Sequence, residues 1–235
     1  MQHDVYEMIH KAEAGWWYRG RNAAIKALLH RAQVSQNGDA LDYGAGYGAM
    51  FKTLSGYKHI DAFEIFPECI ASCKQKGYRT VFTSESELST SSALYECIGA
   101  FDVIEHVDDD VRFLEEISKK LHMNGVLVAT VPAHQFLFGP YDTAAHHFRR
   151  YGKKELRTKL EHAGFQILAL SYWNATLFPV AAILRTIGAK AGGEMHSPYI
   201  IDRILGWVVM LEAFILRFLP LPMGLSLIVV AKRPS

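Results

Sequence analysis

The chain reads as an α/β protein: a doubly wound sheet of seven strands, mostly parallel, with the last strand antiparallel. Three observations predict this. Short apolar runs alternate with helical patterns from residue 40 to residue 171. A glycine-rich corner, Leu41-Asp42-Tyr43-Gly44-Ala45-Gly46-Tyr47-Gly48-Ala49-Met50, follows the first apolar run. Val126 to Val131 is uninterrupted and largely β-branched, as a strand covered on both faces must be.

The elements follow in order. Residues 4–32 are helical in pattern and carry Trp16-Trp17-Tyr18-Arg19, with Ala23 to Ala32 as a packed amphipathic stretch. Ala40 to Tyr43 is the first strand, and a crossover helix begins at Ala49 and runs to Leu54. His59 to Ile65 is the second strand. Pro67 opens the next helix and Gly77 closes it. Tyr78 to Thr83 is the third strand, and Ser89 to Ser92 is a polar loop. Tyr95 to Ile104 is the fourth strand. Asp108 to Asp110 cap a helix whose Phe113, Leu114, Ile117 and Leu121 face the core, and Asn124-Gly125 ends it. After the fifth strand and a loop from Pro132 to Gly152, Lys153 to Ala163 is helical up to Gly164. Phe165 to Ser171 and Leu225 to Lys232 are the last two strands.

Composition narrows the function. The 235 residues, 50% hydrophobic and 21% charged, suit one large domain with a sizeable core. A net charge of +1, from 25 basic and 24 acidic residues without a basic run, argues against a nucleic-acid partner. Three cysteines without C-x-x-C spacing argue against a disulfide framework or a zinc site. The polar start, Met1-Gln2-His3-Asp4, lacks a signal-peptide core, so a cytoplasmic location is expected. Ile200 to Leu219 is broken by Asp202, Arg203, Glu212 and Arg217 and is not read as membrane-spanning.

The glycine corner fits two ligand classes. Gly44, Gly46 and Ala49 satisfy a loose dinucleotide pattern, whereas Gly44, Gly46 and Gly48 satisfy the G-x-G-x-G of S-adenosylmethionine enzymes. Asp42 favours the second. A carboxylate repels a pyrophosphate and attracts a sulfonium and an ammonium. Glu64, about 20 positions past the first glycine at a strand end, suits the two hydroxyls of an adenosine ribose. Ser84 and Glu85, at the third strand end, would lie near the adenine.

At this point the sequence resembles the class I S-adenosylmethionine-dependent methyltransferases. The matching pieces are Asp42-x-Gly44-x-Gly46-x-Gly48, Glu64, Phe101-Asp102-Val103-Ile104-Glu105-His106-Val107 and Asn124-Gly125-x-Leu127-x-x-x-Val131-Pro132, in the right order over residues 40–132. The Glu-His-Val element is shared with quinone-biosynthesis O-methyltransferases. A closer likeness is to a bacterial small-molecule subgroup, through Trp16-Trp17-Tyr18-Arg19 and Asp142-x4-His147-x-Arg149-Arg150-Tyr151. That subgroup often has His where Tyr141 stands, so no role of that His carries over. The chain is read as one domain, with lid helices at 1–35, a Rossmann-like core at 36–172 and 224–235, and an apolar helical insertion at 173–223 where the simplest version of this fold has a hairpin. The resemblance implies S-adenosylmethionine as methyl donor, S-adenosylhomocysteine as product and a small-molecule acceptor.

Methyl transfer to a hydroxyl, or to a phenol-activated carbon, needs a proton acceptor, and histidine suits that task near neutral pH. The loop from Pro132 to Gly152 follows the fifth strand and hangs over the cofactor's edge of the sheet. His147 is the expected general base, Asp142 its orienting partner and His146 the alternate. Asp42, Gly44, Gly46, Gly48, Glu64, Ser84, Glu85 and Asp102 are expected to hold the cofactor, with Arg19 or Arg21 reaching its carboxylate. Trp17, His106, Phe136, Tyr141 and Trp173 are expected around the acceptor. No metal is expected; the alternative is a divalent cation at Asp102, Glu105 and His106, the positions that bind one in some quinone O-methyltransferases.

Between the sixth and seventh strands, Thr176 to Ile187 and Ile200 to Leu219 read as two apolar helices separated by Gly188 to Pro198. Arg203, Gly206, Met210, Ala213 and Arg217 make one narrow, less apolar stripe, so the second helix is expected to be buried on most sides. Three burials are open: enlarging the core and walling the acceptor pocket, a homodimer face, or contact with a membrane surface. The aromatic loop and this insertion favour an apolar acceptor, phenolic or lipid-like, with O-methylation ahead of C-methylation. Two other classes remain: a non-catalytic S-adenosylmethionine-binding scaffold and a nicotinamide oxidoreductase.

Overall fold

The computed structural model describes residues 15–186 and 199–235. The helical reading of 4–14 and the loop reading of 188–198 lie outside the described residues. Helix α1 (Trp16–Arg31) precedes strand β1 (Asp39–Tyr43), α2 (Phe51–Leu54), β2 (His59–Phe63), α3 (Pro67–Lys76) and β3 (Val81–Phe82). Then come α4 (Glu85–Thr90), β4 (Tyr95–Phe101), α5 (Asp110–Lys119), β5 (Leu121–Pro132), α6 (Pro140–Ala144) and α7 (Lys153–His162). The chain closes with β6 (Gln166–Trp173), α8 (Phe178–Thr186), α9 (Tyr199–Leu216) and β7 (Ser226–Lys232).

The seven strands form one sheet in the order β3-β2-β1-β4-β5-β7-β6. β1 to β5 pair in parallel, and β7 runs antiparallel between β5 and β6. Strand residues alternate between two apolar layers, as the two-residue period requires. Ala40, Cys97, Val128 and Ile228 meet α1 through Ile25 and Leu28. Leu41, Ile98, Leu127 and Val229 meet α5 and α7 through Leu114, Ile117, Leu156 and Leu160. The reversal of strand order between β1 and β4 opens a crevice at their carboxyl ends, where such sheets bind ligands.

Several local expectations are corrected. The first crossover helix is the single turn of α2 at Phe51–Leu54, because residues 44–50 are spent on the glycine corner. β3 is two residues long rather than running from Tyr78 to Thr83; it sits at the sheet edge, where strands are commonly short. Ser89 and Thr90 belong to α4 instead of a loop: Ser84 caps that helix by accepting from Glu87 N, and the Ser89 and Thr90 hydroxyls fold back on Ser86 O. α5 stops at Lys119, and Asn124-Gly125 lies inside β5. There Asn124 takes a φ of 67° beside a register shift between Tyr95 and Cys97. Gly125 is packed so that a Cβ would come within 3.0 Å of Tyr95 O, so this pair makes a bulge rather than a helix end.

The largest correction concerns α9. Its fully buried side is Gly206, Val209, Glu212, Ala213 and Leu216, Leu205 and Val208 are half-buried, and its other apolar residues are exposed. The small residues allow a close approach to α1: a Cβ on Gly20 would come 2.4 Å from Val209 Cγ2. α1 is sealed between α9 and the sheet, whereas α9 is sealed on its α1 side alone. The pocket wall expected of α9 is formed by α8 and the residues just before it.

Candidate active site

A cavity of about 990 Å³ opens at the carboxyl ends of β1, β2, β4 and β5. Its floor is the glycine corner. Gly44 N and Ala45 N donate to Phe63 O at 2.9 and 3.1 Å, which pins the corner to the end of β2. Gly44, Gly46 and Gly48 have φ of 72°, 56° and 81°, conformations that side chains disfavour. Their surroundings differ. A Cβ on Gly44 would strike Val103, and one on Gly48 would strike Lys76 and Tyr78. One on Gly46 would meet nothing within 4 Å, so Gly46 is where a ligand can lie against the main chain.

Carboxylates surround this corner. Glu64 accepts from Gly46 N at 2.7 Å, Ile65 N at 2.7 Å and Phe66 N at 2.9 Å. Burial raises its carboxyl despite these bonds. Asp42 is buried at the end of β1, and burial pushes its carboxyl up to about 6 against the bond it accepts from the Tyr78 hydroxyl. Asp102, at a φ of 57°, accepts from Thr130 Oγ1 at 2.9 Å and from Arg21 Nη1 at 2.5 Å. Arg21 lies over the Tyr18 ring, so α1 delivers one cation to the cavity wall.

The loop after β5 forms the opposite wall. His147 Nδ1 is 2.9 Å from Asp142 Oδ1, and the same oxygen accepts from Arg150 Nε at 2.8 Å. Gly139 N donates to the other oxygen at 2.9 Å. Burial opposes the Asp142 charge, but the His147 bond and Arg150 outweigh it and hold the carboxyl down to about 2. An ionised Asp142 accepting from Nδ1–H leaves Nε2 of His147 as the basic nitrogen. The His106 ring stands edge-on to His147 at 4.6 Å between centroids. Burial and the His147 neighbour push His106 down to about 4. Glu105 is fully buried, with no hydrogen-bond partner on either oxygen among the described residues, and burial followed by the Asp102 charge raises its carboxyl well above the usual range.

Of the residues expected around the cofactor, Asp42, Gly44, Gly46, Glu64, Glu85 and Asp102 line the cavity. Gly48 and Ser84 do not: Gly48 packs on Lys76 and Tyr78, and Ser84 caps α4. Arg19 points away and binds Asp202 of α9 at 2.6 Å, so Arg21 is the arginine at the cavity. Around the acceptor, Trp17, His106, Tyr141, His146 and His147 line the wall. Phe136 is exposed beside His134, and Trp173 is buried beneath Trp17 at 4.6 Å between ring centroids. The cation set also changes. Glu105, His106 and His147 have potential ligand atoms within 4.8 Å of one another, whereas Asp102 is engaged by Arg21 and Thr130 outside that group. The buried, unpartnered Glu105 fits a cation bound by these three.

Sequence reasoning missed Asn174. It lines the cavity one residue past β6, fully buried, with neither amide atom hydrogen-bonded among the described residues. Strand alternation puts Trp173 in the core layer, but Asn174 lies past β6 at a φ of 60°, a turn the strand period does not signal.

The comparisons agree with this geometry. The family model described as a methyltransferase domain matches residues 16–170. A probable S-adenosylmethionine-dependent methyltransferase of Mycolicibacterium smegmatis is 26% identical over 66% of this chain and 62% of its own length. One of Mycobacterium tuberculosis with the same description is 26% identical over 81% of this chain and 69% of its own length. The chain thus spans about two thirds of the length of these curated relatives. The N-methyltransferase NodS of Bradyrhizobium japonicum, solved with S-adenosyl-L-homocysteine, shares the fold at a TM-score of 0.59 and 12% identity, covering 99% of this chain and 100% of that one. The dinucleotide reading of the glycine corner is therefore set aside, and the chain belongs to the class I S-adenosylmethionine-dependent methyltransferase family.

Proposed function

We propose that the protein methylates a hydroxyl of a small apolar acceptor, phenolic or lipid-like, with His147 as general base and Asp142 as its positioning partner. The observation that carries this reading is the Asp142–His147 pair at 2.9 Å, with His147 on the wall of the cavity whose floor is the glycine corner. S-adenosylmethionine would supply an electrophilic methyl group on a positively charged sulfur. Gly46, Glu64, Asp42 and Asp102 would hold it, with Arg21 reaching its carboxylate. His147 would take the acceptor's hydroxyl proton as the oxygen–carbon bond forms and the carbon–sulfur bond breaks. Asp142 fixes the tautomer and steadies the imidazolium that results. Trp17, Tyr141, Leu177 and Val180 give an apolar enclosure, which favours such an acceptor over a sugar or an amino acid.

The test is methyl transfer from labelled donor across a panel of phenols, polyenols and amines. His147→Ala should lose transfer by about 100-fold or more while S-adenosylhomocysteine still binds in calorimetric titration. Full activity in His147→Ala removes the base assignment, and transfer to amines alone removes the hydroxyl acceptor. The Glu105, His106 and His147 group favours a second reading, in which a divalent cation orients the acceptor. Transfer abolished by a chelator and restored by magnesium would support it.

A further inference from the structure

α9 is docked along one side. Gly206, Val209, Glu212, Ala213 and Leu216 are buried there, whereas Ile200, Ile204, Trp207, Leu211, Phe214 and Phe218 stand out, with Trp207 75% exposed. These six recur at intervals of four and three residues, which places them on one continuous face. An apolar face of this extent calls for an occupant.

The charges indicate which one. Both carboxylates of α9 are taken up on the inner side. Asp202 accepts from Trp16 N at 2.8 Å and from Arg19 Nη2 at 2.6 Å. Glu212 accepts from Ala175 N at 3.0 Å and Thr176 N at 2.7 Å. The charges left exposed along one flank of this face are Arg203, resting on the Tyr199 ring, and Arg217, just past the helix end, about four turns apart. A second copy laid antiparallel over this face would set Arg203 of each copy near Arg217 of the other. Laid parallel, it would set the two arginine flanks on opposite sides. In neither arrangement does α9 itself supply a free carboxylate to its partner's arginines. An anionic headgroup layer answers both arginines, accepts the six apolar side chains and suits an interfacial tryptophan. No helix of the described residues is long and apolar enough to cross a membrane, so α9 would lie in the plane of the headgroups.

We propose that the outer face of α9 docks on an anionic phospholipid bilayer. The cavity adjoins the inner side of α9. Trp16, held by Asp202, lines the cavity, and Glu212 anchors the chain just before Leu177 and Val180 on the cavity wall. Val180 is both cavity-lining and exposed. With α9 docked, an apolar acceptor would enter from the bilayer past the exposed Val180. That entry rests on the function proposed above; the docking does not.

The test floats the full chain with vesicles of phosphatidylcholine, alone and with phosphatidylglycerol added. The chain should bind the second kind preferentially, and less so as salt rises. Trp207→Asp with Phe214→Asp should lose binding by more than about 10-fold. Arg203→Gln and Arg217→Gln should each cost about 5-fold on the anionic vesicles alone. Calorimetric titration with S-adenosylhomocysteine serves as the fold control and should be unchanged in every variant. A chain that ignores both vesicle types at low salt overturns the proposal. If it then sediments as a dimer that Trp207→Asp dissociates, a second copy covers α9. Vesicle binding without S-adenosylhomocysteine binding would sink the proposed function and leave the docking standing.

Discussion

Asp42 is a carboxylate whose burial burdens the ligand-free protein. Burial lifts its carboxyl from 3.8 to about 6 against the Tyr78 bond. Between those values the folded chain holds a proton that the unfolded chain has released, so stability falls as pH rises through that window. At neutral pH the buried anion is a cost. Asp42→Asn should therefore stabilise the ligand-free protein at pH 7.5 by on the order of 1–3 kcal/mol, and by almost nothing near pH 4. Urea melts at the two pH values measure this. The same substitution should weaken S-adenosylmethionine by about 10-fold or more, because a cation loses its counter-charge. An equal stability change at both pH values would mean that burial of charge is not what Asp42 contributes. Asn174 makes a parallel case: its amide, unsatisfied among the described residues, suits an acceptor or cofactor polar group, and Asn174→Gly, which tolerates the φ of 60°, should raise KM with little change in urea denaturation.

At the scale of elements, the contact between α1 and α9 decides what the insertion can do. Gly20 in an exposed helix would gain about 1 kcal/mol on replacement by Ala. Here its Cβ would lie 2.4 Å from Val209 Cγ2 and 3.3 Å from Trp173 Cζ2. Overpacking of this kind costs about 1–3 kcal/mol, so the steric term should win. Gly20→Ala should lower stability in urea denaturation, and Val209→Ala in the same chain should recover part of the loss. A Gly20→Ala variant more stable than the parent would show that α9 moves aside at no cost. The helix stripe of Gly206 and Ala213 was visible in the sequence as a less apolar line. Reading the stripe as the only polar side inverted the answer, because small residues mark where a neighbouring helix comes closest. The shortened α2 and the bulge at Asn124-Gly125 were hidden for a similar reason. Their causes, the pinning of the glycine corner to Phe63 O and the approach of Tyr95 O, lie across the sheet.

For the molecule as a whole, binding to the folded state alone stabilises by mass action. S-adenosylhomocysteine at about 100 times its Kd should raise unfolding free energy by about 2.7 kcal/mol. NAD at the same concentration should leave the melting temperature unchanged. A shift with NAD and none with S-adenosylhomocysteine would contradict the cofactor assignment. The sheet order β3-β2-β1-β4-β5-β7-β6 makes this coupling direct, since the ligand would bridge the ends of β1, β2 and β4 together with α1.

The sequence by itself determined the strand-and-helix alternation, the glycine corner with Asp42 and Glu64, and the short-range link between Asp142 and His147. Each depends on backbone freedom, on period, or on residues close together along the chain. Only the tertiary structure decided that Arg21 and not Arg19 reaches the cavity, that Asn174 and not Trp173 lines it, and that His147 and not Asp102 joins Glu105 and His106. These choices depend on helix phase and on the turn past β6, where one residue reverses the direction of a side chain. They also turn on partners such as Asp202, which lies 183 residues from Arg19 in the chain and 2.6 Å from it in space.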